Sequence, residues 1–306
     1  MDKTLIVIVG PTGIGKTELA IKVAKYFKTE IISADSRQIY KELAIGTAVP
    51  DKKQLLEVPH HFIQHKSIHD YYNASLYESE TIDLLGKLFK KQDIVVMAGG
   101  SGMYIDAVCH GIDDLPDADM EIRKKVIEKY NKEGIESLRR ELKLVDPLYY
   151  ASVDLKNPKR IFKALEIFYI TGKPYSSFLT RKPKLREFNV VKIGLNMDRE
   201  KLYERINNRV DNMIKRGLVE EAKTLYPNKD VNALNTVGYK EIFDYLDGHI
   251  SFEKAVELVK RNTRHYARRQ ITWFNKDKDI NWFRPDQAEE ISDLIVKKIE
   301  VDTKKH

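Results

Sequence analysis

Short apolar runs separated by amphipathic stretches dominate the first 110 residues. Runs rich in valine and isoleucine occupy Thr4–Val9, Glu30–Ser33 and Ile94–Ala98, and each leads within two residues to glycine or aspartate. Runs of this length and composition are typical of buried strands. Residues Glu18–Phe27 carry apolar side chains at helical spacing. The strand–helix–strand order predicts βαβ units and therefore the parallel sheet of an α/β fold, flanked by helices.

The pattern becomes charged and helical between residues 112 and 184. Apolar positions are periodic over 122–144 and 161–170, and the dipeptides Asp146-Pro147 and Asn157-Pro158 mark boundaries between short helices. Strand-like residues return at 190–195, a helix ending before Gly217 follows, and a last strand at 280–283 precedes a terminal helix. We therefore expect a catalytic core of residues 1–111 and 185–306 with a helical insertion of residues 112–184.

A phosphate-binding loop follows the first predicted strand directly. The stretch GPTGIGKT fits the pattern G-x-x-x-x-G-K-[ST], with a strand before it and a helix after it. In such a loop the backbone N–H groups surround an anion, the lysine adds a point charge and the threonine hydroxyl can hold Mg²⁺. The predicted phosphate-binding residues are Gly10, Pro11, Thr12, Gly13, Ile14, Gly15, Lys16 and Thr17.

Two further features belong at the carboxyl ends of the predicted strands, where parallel sheets place their sites. Asp35 follows the second strand, and the Gly99–Gly102 turn follows the third. A P-loop ATPase would carry a magnesium-binding aspartate after the third strand. This chain has glycines there, which disfavours an ATPase. Asp35 could accept a proton from an attacking nucleophile, cap the N-terminus of a helix or lie in the outer sphere of Mg²⁺.

Composition narrows the class of protein. The chain has 306 residues and a single cysteine, Cys109, so an intrachain disulfide is impossible and a reducing cytoplasm is expected. No apolar run is long enough to span a bilayer, and we expect no membrane partner. His61, His65 and His69 recur every four residues, but no cysteine or tight carboxylate cluster accompanies them, which disfavours a zinc site.

The positive charge is concentrated in two segments. The net charge is +7, yet the segment 156–192 alone holds ten lysines and arginines against two glutamates. A second basic run, KRNTRHYARRQ at 260–270, contains Tyr266 and lies close to Trp273. Basic residues mixed with aromatic ones are typical of nucleic-acid binding, although a solvated helix face has the same pattern.

The motifs together resemble the tRNA dimethylallyltransferase family, also called tRNA isopentenyltransferases. The matching stretches are GPTGIGKT, ISADSRQIYKELAIGTA, VPHHFI, AGGSGMYIDAV, RINNRVDNMIKRGLVEE, NTVGYKEI and RQITWF, in order over nearly the whole chain. The resemblance implies a P-loop kinase-like core, in which the loop holds dimethylallyl diphosphate in the presence of Mg²⁺. It implies transfer of the dimethylallyl group to N6 of adenosine 37 in the anticodon stem-loop of tRNA.

The resemblance also implies roles for individual residues. Asp35, Thr17 and Arg209 would be catalytic, with Asp35 as general base, Arg209 as a diphosphate clamp and Thr17 near Mg²⁺. The implied tRNA contacts are Asp35, Ser36, Arg37, Gln38, Ser101, Arg123, Lys159, Arg160, Ile161, Phe162, Lys163, Asn235, Thr236, Val237, Gly238, Tyr239 and Lys240. We expect such an enzyme to be a monomer.

Other classes of protein share parts of this pattern. A small-molecule or nucleotide P-loop kinase would also have the loop, Asp35 and the glycine turn, but it has no need of a basic helical insertion. An isopentenyltransferase acting on free AMP or ADP needs no anticodon-stem surface. A nucleic-acid-binding P-loop ATPase without transfer chemistry is disfavoured by the glycines after Ala98 and by the run from Asp35 to Tyr40.

Overall fold

Parallel strands form the sheet that the sequence predicts. The structure, a computed structural model, describes residues 2–180 and 182–303, so Arg181 of the basic segment lies outside the described residues. The strands are β1 (Thr4–Val9), β2 (Ile31–Ala34), β3 (His60–His61), β4 (Ile94–Gly99), β5 (Asn189–Leu195) and β6 (Asn281–Phe283). The predicted strands are thus confirmed to within one residue at each end, and β3 is an additional short strand.

The register of the sheet brings the strand ends together. The order is β3-β2-β4-β1-β5-β6, and every pairing is parallel. Gly99 is the partner of Val9 on one side and of Ala34 on the other. The residues that follow these three positions are Gly10, Asp35 and Gly100, so the P-loop, Asp35 and the glycine turn begin at one edge of the sheet.

Helices cover the sheet and form the insertion. They are α1 (Lys16–Tyr26), α2 (Lys52–Glu57), α3 (Ala74–Leu88), α4 (Gly102–His110), α5 (Met120–Glu133), α6 (Ile135–Val145), α7 (Pro147–Ser152), α8 (Pro158–Thr171), α9 (Arg199–Lys215), α10 (Leu218–Leu225), α11 (Tyr239–Leu246), α12 (Phe252–Phe274) and α13 (Ala288–Thr303). Gly217 separates α9 from α10 with a φ of 100°, a left-handed conformation that favours glycine. The predicted end of that helix is therefore confirmed. None of these described helices is long and apolar enough to cross a membrane.

The chain divides into two compact units. The first, here the core unit, comprises residues 1–110 and 185–306, and the second comprises residues 111–184. The apolar core of the core unit is formed by β1, β4, β5 and the helices on the sheet, with Ile6, Ile8 and Ile193 fully buried.

The second unit has a small apolar core of its own. Leu138, Leu142 and Leu165 pack together there with no exposure. Prolines occupy the first positions of α7 and α8, as their missing N–H allows, so the predicted boundaries are confirmed. The continuous pattern over 122–144 is broken into α5 and α6 at Gly134, whose φ is 77°.

Candidate functional site

The phosphate-binding loop has the backbone that its glycines predict. Gly10, Gly13 and Gly15 all have positive φ, and a Cβ atom at Gly10 would lie 2.7 Å from the carbonyl oxygen of Leu195. Gly10 itself is buried, as is Pro11. Ile14 also turns its side chain into the apolar core with no exposure, so this residue offers the loop only its backbone.

A cavity of about 500 Å³ lies against this loop. Thr12, Gly13, Gly15, Lys16 and Thr17 line it on one side. The lining also includes Glu18, Asp35, Gln38, residues 48–51, the end of β4, Arg205 and Arg209 of α9, Arg216 just beyond that helix, and Tyr266 and Gln270 of α12. This first cavity therefore combines loop amides and cationic side chains, which suit a phosphate group, with the carboxylates of Glu18, Asp35 and Asp51.

A second cavity, of about 670 Å³, shares five lining residues with the first. Its other walls include residues 36–37, 46–47, 235–238 and 240, together with side chains of α12 between Leu258 and Arg269. The shared residues are Thr12, Asp35, Arg209, Met213 and Tyr266. A molecule in the first cavity and one in the second would therefore both be next to Asp35.

The Asp35 carboxylate is held by the turn that follows it. Its Oδ1 accepts the backbone N–H of Arg37 at 2.9 Å and that of Gln38 at 3.3 Å. The Ser101 Oγ accepts the N–H of Ser36 at 2.9 Å, and the N–H of Ser101 donates to the Ala34 oxygen at 3.1 Å. The glycine turn thus fixes the backbone on both sides of Asp35. Asp35 caps a turn and also lines both cavities.

Two basic side chains of the first cavity, Lys16 and Arg209, have lowered pKa values. Burial lowers the pKa of Lys16 to about 7, against the attraction of Asp35, and the Lys16 Nζ donates to the Pro11 oxygen at 2.9 Å. Burial also lowers the pKa of Arg209, while Asp35 and Glu18 oppose that shift. One helical turn earlier, the Nε of Arg205 donates to the Gly13 oxygen at 3.0 Å. Helix α9 therefore directs two guanidinium groups toward the loop.

Some predicted tRNA contacts are engaged within the protein. The Arg37 guanidinium donates to the carbonyls of Asn232 and Ala233, and the Gln38 amide donates to those of Thr47 and Ala48. Ser36, Arg37, Asn235, Thr236, Val237, Gly238 and Lys240 line the second cavity.

Tyr239 does not line the second cavity. Its ring is fully buried and its hydroxyl donates to Glu221, so the side chain of this predicted tRNA-binding residue packs in the core. The residue faces the core because it is the first residue of α11 and packs under Gly46.

The remaining predicted contacts lie in the second unit. Lys159 and Arg160 are exposed in the first turn of α8, whereas Ile161 is fully buried in the core of this unit and Phe162 packs edge-on against Tyr130. The side chain of Ile161 is therefore a core side chain, because helical periodicity turns it inward.

Two predicted contacts of the second unit surround a buried acid. The Nε of Arg123 lies 3.7 Å from an oxygen of Glu166, which is 3% exposed. Burial raises the pKa of Glu166, while Arg123 and Lys163 oppose that shift; burial also lowers the pKa of Lys163. Both cations are thereby held near one carboxylate.

Glu221 is a structural residue of the site that sequence reasoning did not single out. Its carboxylate accepts the backbone N–H groups of Ala44, Ile45 and Gly46 and the hydroxyl of Tyr239 at 2.6 Å. It thereby fixes the loop that carries Gly46 and Thr47 at the second cavity. No local pattern marks this role, since the acceptor lies about 175 residues from its donors.

We expect Glu221→Gln to lower the free energy of unfolding by about 1–3 kcal/mol, because an amide nitrogen would replace one acceptor and leave a donor without a partner. Urea denaturation at constant pH measures this change. Glu220→Gln, an exposed neighbour on the same helix, is the control and should change stability by less than about 0.5 kcal/mol. Equal losses in the two variants would contradict the prediction.

A metal ion at this site would have few protein ligands among the described residues. Among the described residues, no three His, Cys, Asp or Glu side chains are arranged to hold a metal ion. His61 pairs with Glu30 at 2.6 Å, and His65 lies 3.6 Å from Glu80. Mg²⁺ commonly binds through one or two protein oxygens together with substrate phosphates and water. The Thr17 hydroxyl in the first cavity fits that arrangement.

These features define a P-loop α/β protein whose phosphate-binding cavity shares a carboxylate and an arginine with a second, cation-rich cavity. The pattern of the family described as IPP transferase matches residues 38–277. A tRNA dimethylallyltransferase of Bacteroides fragilis is 55% identical over 289 residues, which cover 94% of this chain and 96% of that protein. One of Christiangramia forsetii is 53% identical and covers 98% of this chain and 99% of that protein. The chain belongs to the IPP transferase family.

Solved structures agree with this membership. The tRNA isopentenylpyrophosphate transferase of Bacillus halodurans superposes with a TM-score of 0.73 at 35% identity, covering 99% of each chain. A eukaryotic dimethylallyltransferase acting on tRNA superposes with a TM-score of 0.80 at 26% identity, covering 92% of this chain and 74% of that one. The P-loop kinase-like fold expected from the sequence is therefore confirmed.

Proposed function

We propose that the protein transfers the dimethylallyl group of dimethylallyl diphosphate to N6 of adenosine 37 in tRNA and releases diphosphate. The observation that carries this proposal is the pair of cavities that share Asp35 and Arg209. A phosphorylated donor suits the cavity of the P-loop, and an acceptor base suits the cavity lined by residues 235–240. The names of the related proteins support the same donor group and the same class of acceptor.

The donor side stabilises the charge that develops on the leaving group. The loop amides, Lys16 and Arg209 surround the first cavity and would hold the diphosphate as its oxygen takes up the electron pair of the breaking C–O bond. A guanidinium can bind two phosphate oxygens at once. Bound Mg²⁺, held by Thr17 and the diphosphate, would add further charge stabilisation.

On the acceptor side, N6 of adenine is a weak nucleophile because its lone pair is delocalised into the ring. The new N–C bond forms at the allylic carbon as the C–O bond breaks, and N6 must lose one proton. The Asp35 carboxylate lines both cavities and would accept that proton. The adenine must also leave its stack, which costs less in a single-stranded loop than in a duplex.

Basic side chains on α8 and at the second cavity would bind the anticodon stem-loop. Exposed Lys159 and Arg160 on α8, and Arg261 and Arg269 at the second cavity, provide cations for phosphate groups. We propose that the enzyme acts as a monomer in the cytoplasm.

The pKa of Lys16 leads to a prediction about pH. Because the pKa in the free protein is about 7, Lys16 is charged below that pH and neutral above it. A diphosphate binds best to the charged form, so we expect the dissociation constant of an unreactive thiolo analogue of the donor to rise above pH 7 by up to about tenfold per pH unit. Titration calorimetry measures that constant.

The control for this experiment is Lys16→Arg, which keeps its charge throughout the range and should bind the analogue with a much flatter pH profile. Equal profiles for the wild type and the variant would assign the pH dependence to another group and contradict the prediction.

The proposed function is tested by product analysis. The protein is incubated with Mg²⁺, dimethylallyl diphosphate and unmodified tRNA that has adenosines at positions 36 to 38, and the digested nucleosides are examined by mass spectrometry. A dimethylallyl mass gain on adenosine is expected. Modification of AMP but not of tRNA would instead indicate an AMP isopentenyltransferase. Consumption of ATP with a phosphorylated product and no prenylation would indicate a kinase.

A further inference from the structure

A buried glutamine joins the phosphate-binding loop to the glycine turn. Gln270 on α12 is 6% exposed. Its Oε1 accepts the backbone N–H of Thr12 at 2.8 Å, and its Nε2 donates to the Gly100 oxygen at 2.9 Å. One amide group thus binds both segments that meet at the edge of the sheet.

The orientation of this amide is fixed by its two partners. Turning the group over would place its NH₂ against the Thr12 N–H and its oxygen against the Gly100 carbonyl, so both bonds would be lost. A Cβ atom at Gly100 would lie 2.1 Å from the Gln270 Nε2. The glycine therefore leaves the space that the close approach of the amide uses.

The chain of contacts continues from Gly100 to Asp35. Ser101 is the next residue, and its hydroxyl and N–H bind the backbone at Ser36 and Ala34. Asp35 lies between those two residues. Gln270 is thereby linked on one side to the loop that surrounds the first cavity and on the other to the carboxylate shared by both cavities.

We propose that Gln270 is a positioning residue for the transfer reaction, which sets the distance between the donor diphosphate on the P-loop and the Asp35 carboxylate. This inference rests on the proposed function. The reacting carbon must lie between the diphosphate and N6, so a shift of either segment misaligns the two bonds that form and break. A displacement of about 1 Å can cost about 100-fold in rate.

The first test replaces Gln270 with methionine, which has a similar length but can form neither bond. We expect the single-turnover rate with saturating tRNA and donor to fall about 100-fold in Gln270→Met, while the dissociation constants of tRNA and of the thiolo analogue change by less than about threefold. The matched control is Gln92→Met, in the connection between α3 and β4 and outside both cavities, which should keep the wild-type rate.

The second test uses the carboxyl group of Gln270→Glu. The ionised form has no hydrogen to donate to the Gly100 oxygen, whereas the protonated form has one donor and one acceptor, as the amide does. Because burial raises the pKa of a carboxyl group, the protonated fraction of the variant grows as the pH falls, and the ratio of the variant rate to the wild-type rate should rise between about pH 8.5 and pH 5. The other charged side chains of this cavity, among them Lys16, Glu18, Asp35 and Arg209, are present in both proteins, so the wild-type rate at each pH is the reference.

The outcomes separate this inference from the proposed function. A folded Gln270→Met with a wild-type rate, a loss confined to donor affinity, or a flat ratio for Gln270→Glu would each overturn the positioning role. Absence of transfer by the wild-type protein would overturn the proposed function itself. If Gln270→Met unfolds, Gln270→Glu takes its place: a slow rate at about pH 8.5 with wild-type affinities for tRNA and the thiolo analogue supports the positioning role, and equal losses in the rate and in both affinities would overturn it.

Discussion

Replacing Asp35 with asparagine should slow the transfer reaction by about 10²- to 10⁴-fold, the usual contribution of a general base. The change removes the proton acceptor but keeps a side-chain oxygen that can accept the N–H groups of Arg37 and Gln38. The turn should therefore survive, and the affinities for tRNA and donor should stay close to those of the wild type. Single-turnover rates at saturating concentrations measure the effect.

The comparison with Asp35→Ala separates the two roles of the residue. Alanine removes both the base and the cap of the turn, so this variant should lose transfer and bind tRNA somewhat more weakly than Asp35→Asn. A near-wild-type rate for Asp35→Asn would mean that another group, or water, takes the proton from N6.

Replacing Arg209 with alanine should lower kcat/KM for the donor by about 10²- to 10³-fold, as loss of a group that stabilises developing charge does in other enzymes. Arg209 lies in the first cavity beside the loop, and its charge interacts with Asp35 and Glu18. Initial rates over a range of donor concentrations at saturating tRNA measure the change.

Two further variants make the test of Arg209 specific. Arg209→Lys keeps a point charge but loses the planar fork, so it should recover only part of the activity. Arg199→Ala removes an arginine on the same helix that stacks over Tyr203 and lines neither cavity, and it should behave as the wild type. An unchanged dependence on donor concentration in Arg209→Ala would remove the clamp role.

Local features of the site were predictable because their signals are local. The apolar run of β1, the glycines of the loop and Lys16 lie within a few residues of one another. The role of each follows from its own chemistry: burial for the apolar run, backbone freedom for the glycines and positive charge for the lysine. Asp35 was predictable because the carboxyl ends of parallel strands share one edge of the sheet.

The supporting contacts were not predictable in the same way. The bonds of Gln270 join residues 258 and 170 positions apart, and only the packing of α12 on the sheet brings them together. Periodicity alone could have shown that Ile161 faces inward, but the burial of Tyr239 depends on Glu221, a partner from another helix.

The central claim is that the P-loop holds dimethylallyl diphosphate, and that its dimethylallyl group is transferred to N6 of an RNA adenosine while Asp35 accepts the proton. It is tested most directly by following both halves of one donor molecule in a single turnover. Dimethylallyl diphosphate labelled on the allylic carbon and on phosphate is mixed with excess protein and an anticodon stem-loop RNA. The carbon label should enter adenosine 37 at the rate at which labelled diphosphate is released. Phosphate label in the RNA, or diphosphate release without carbon transfer, would contradict the account.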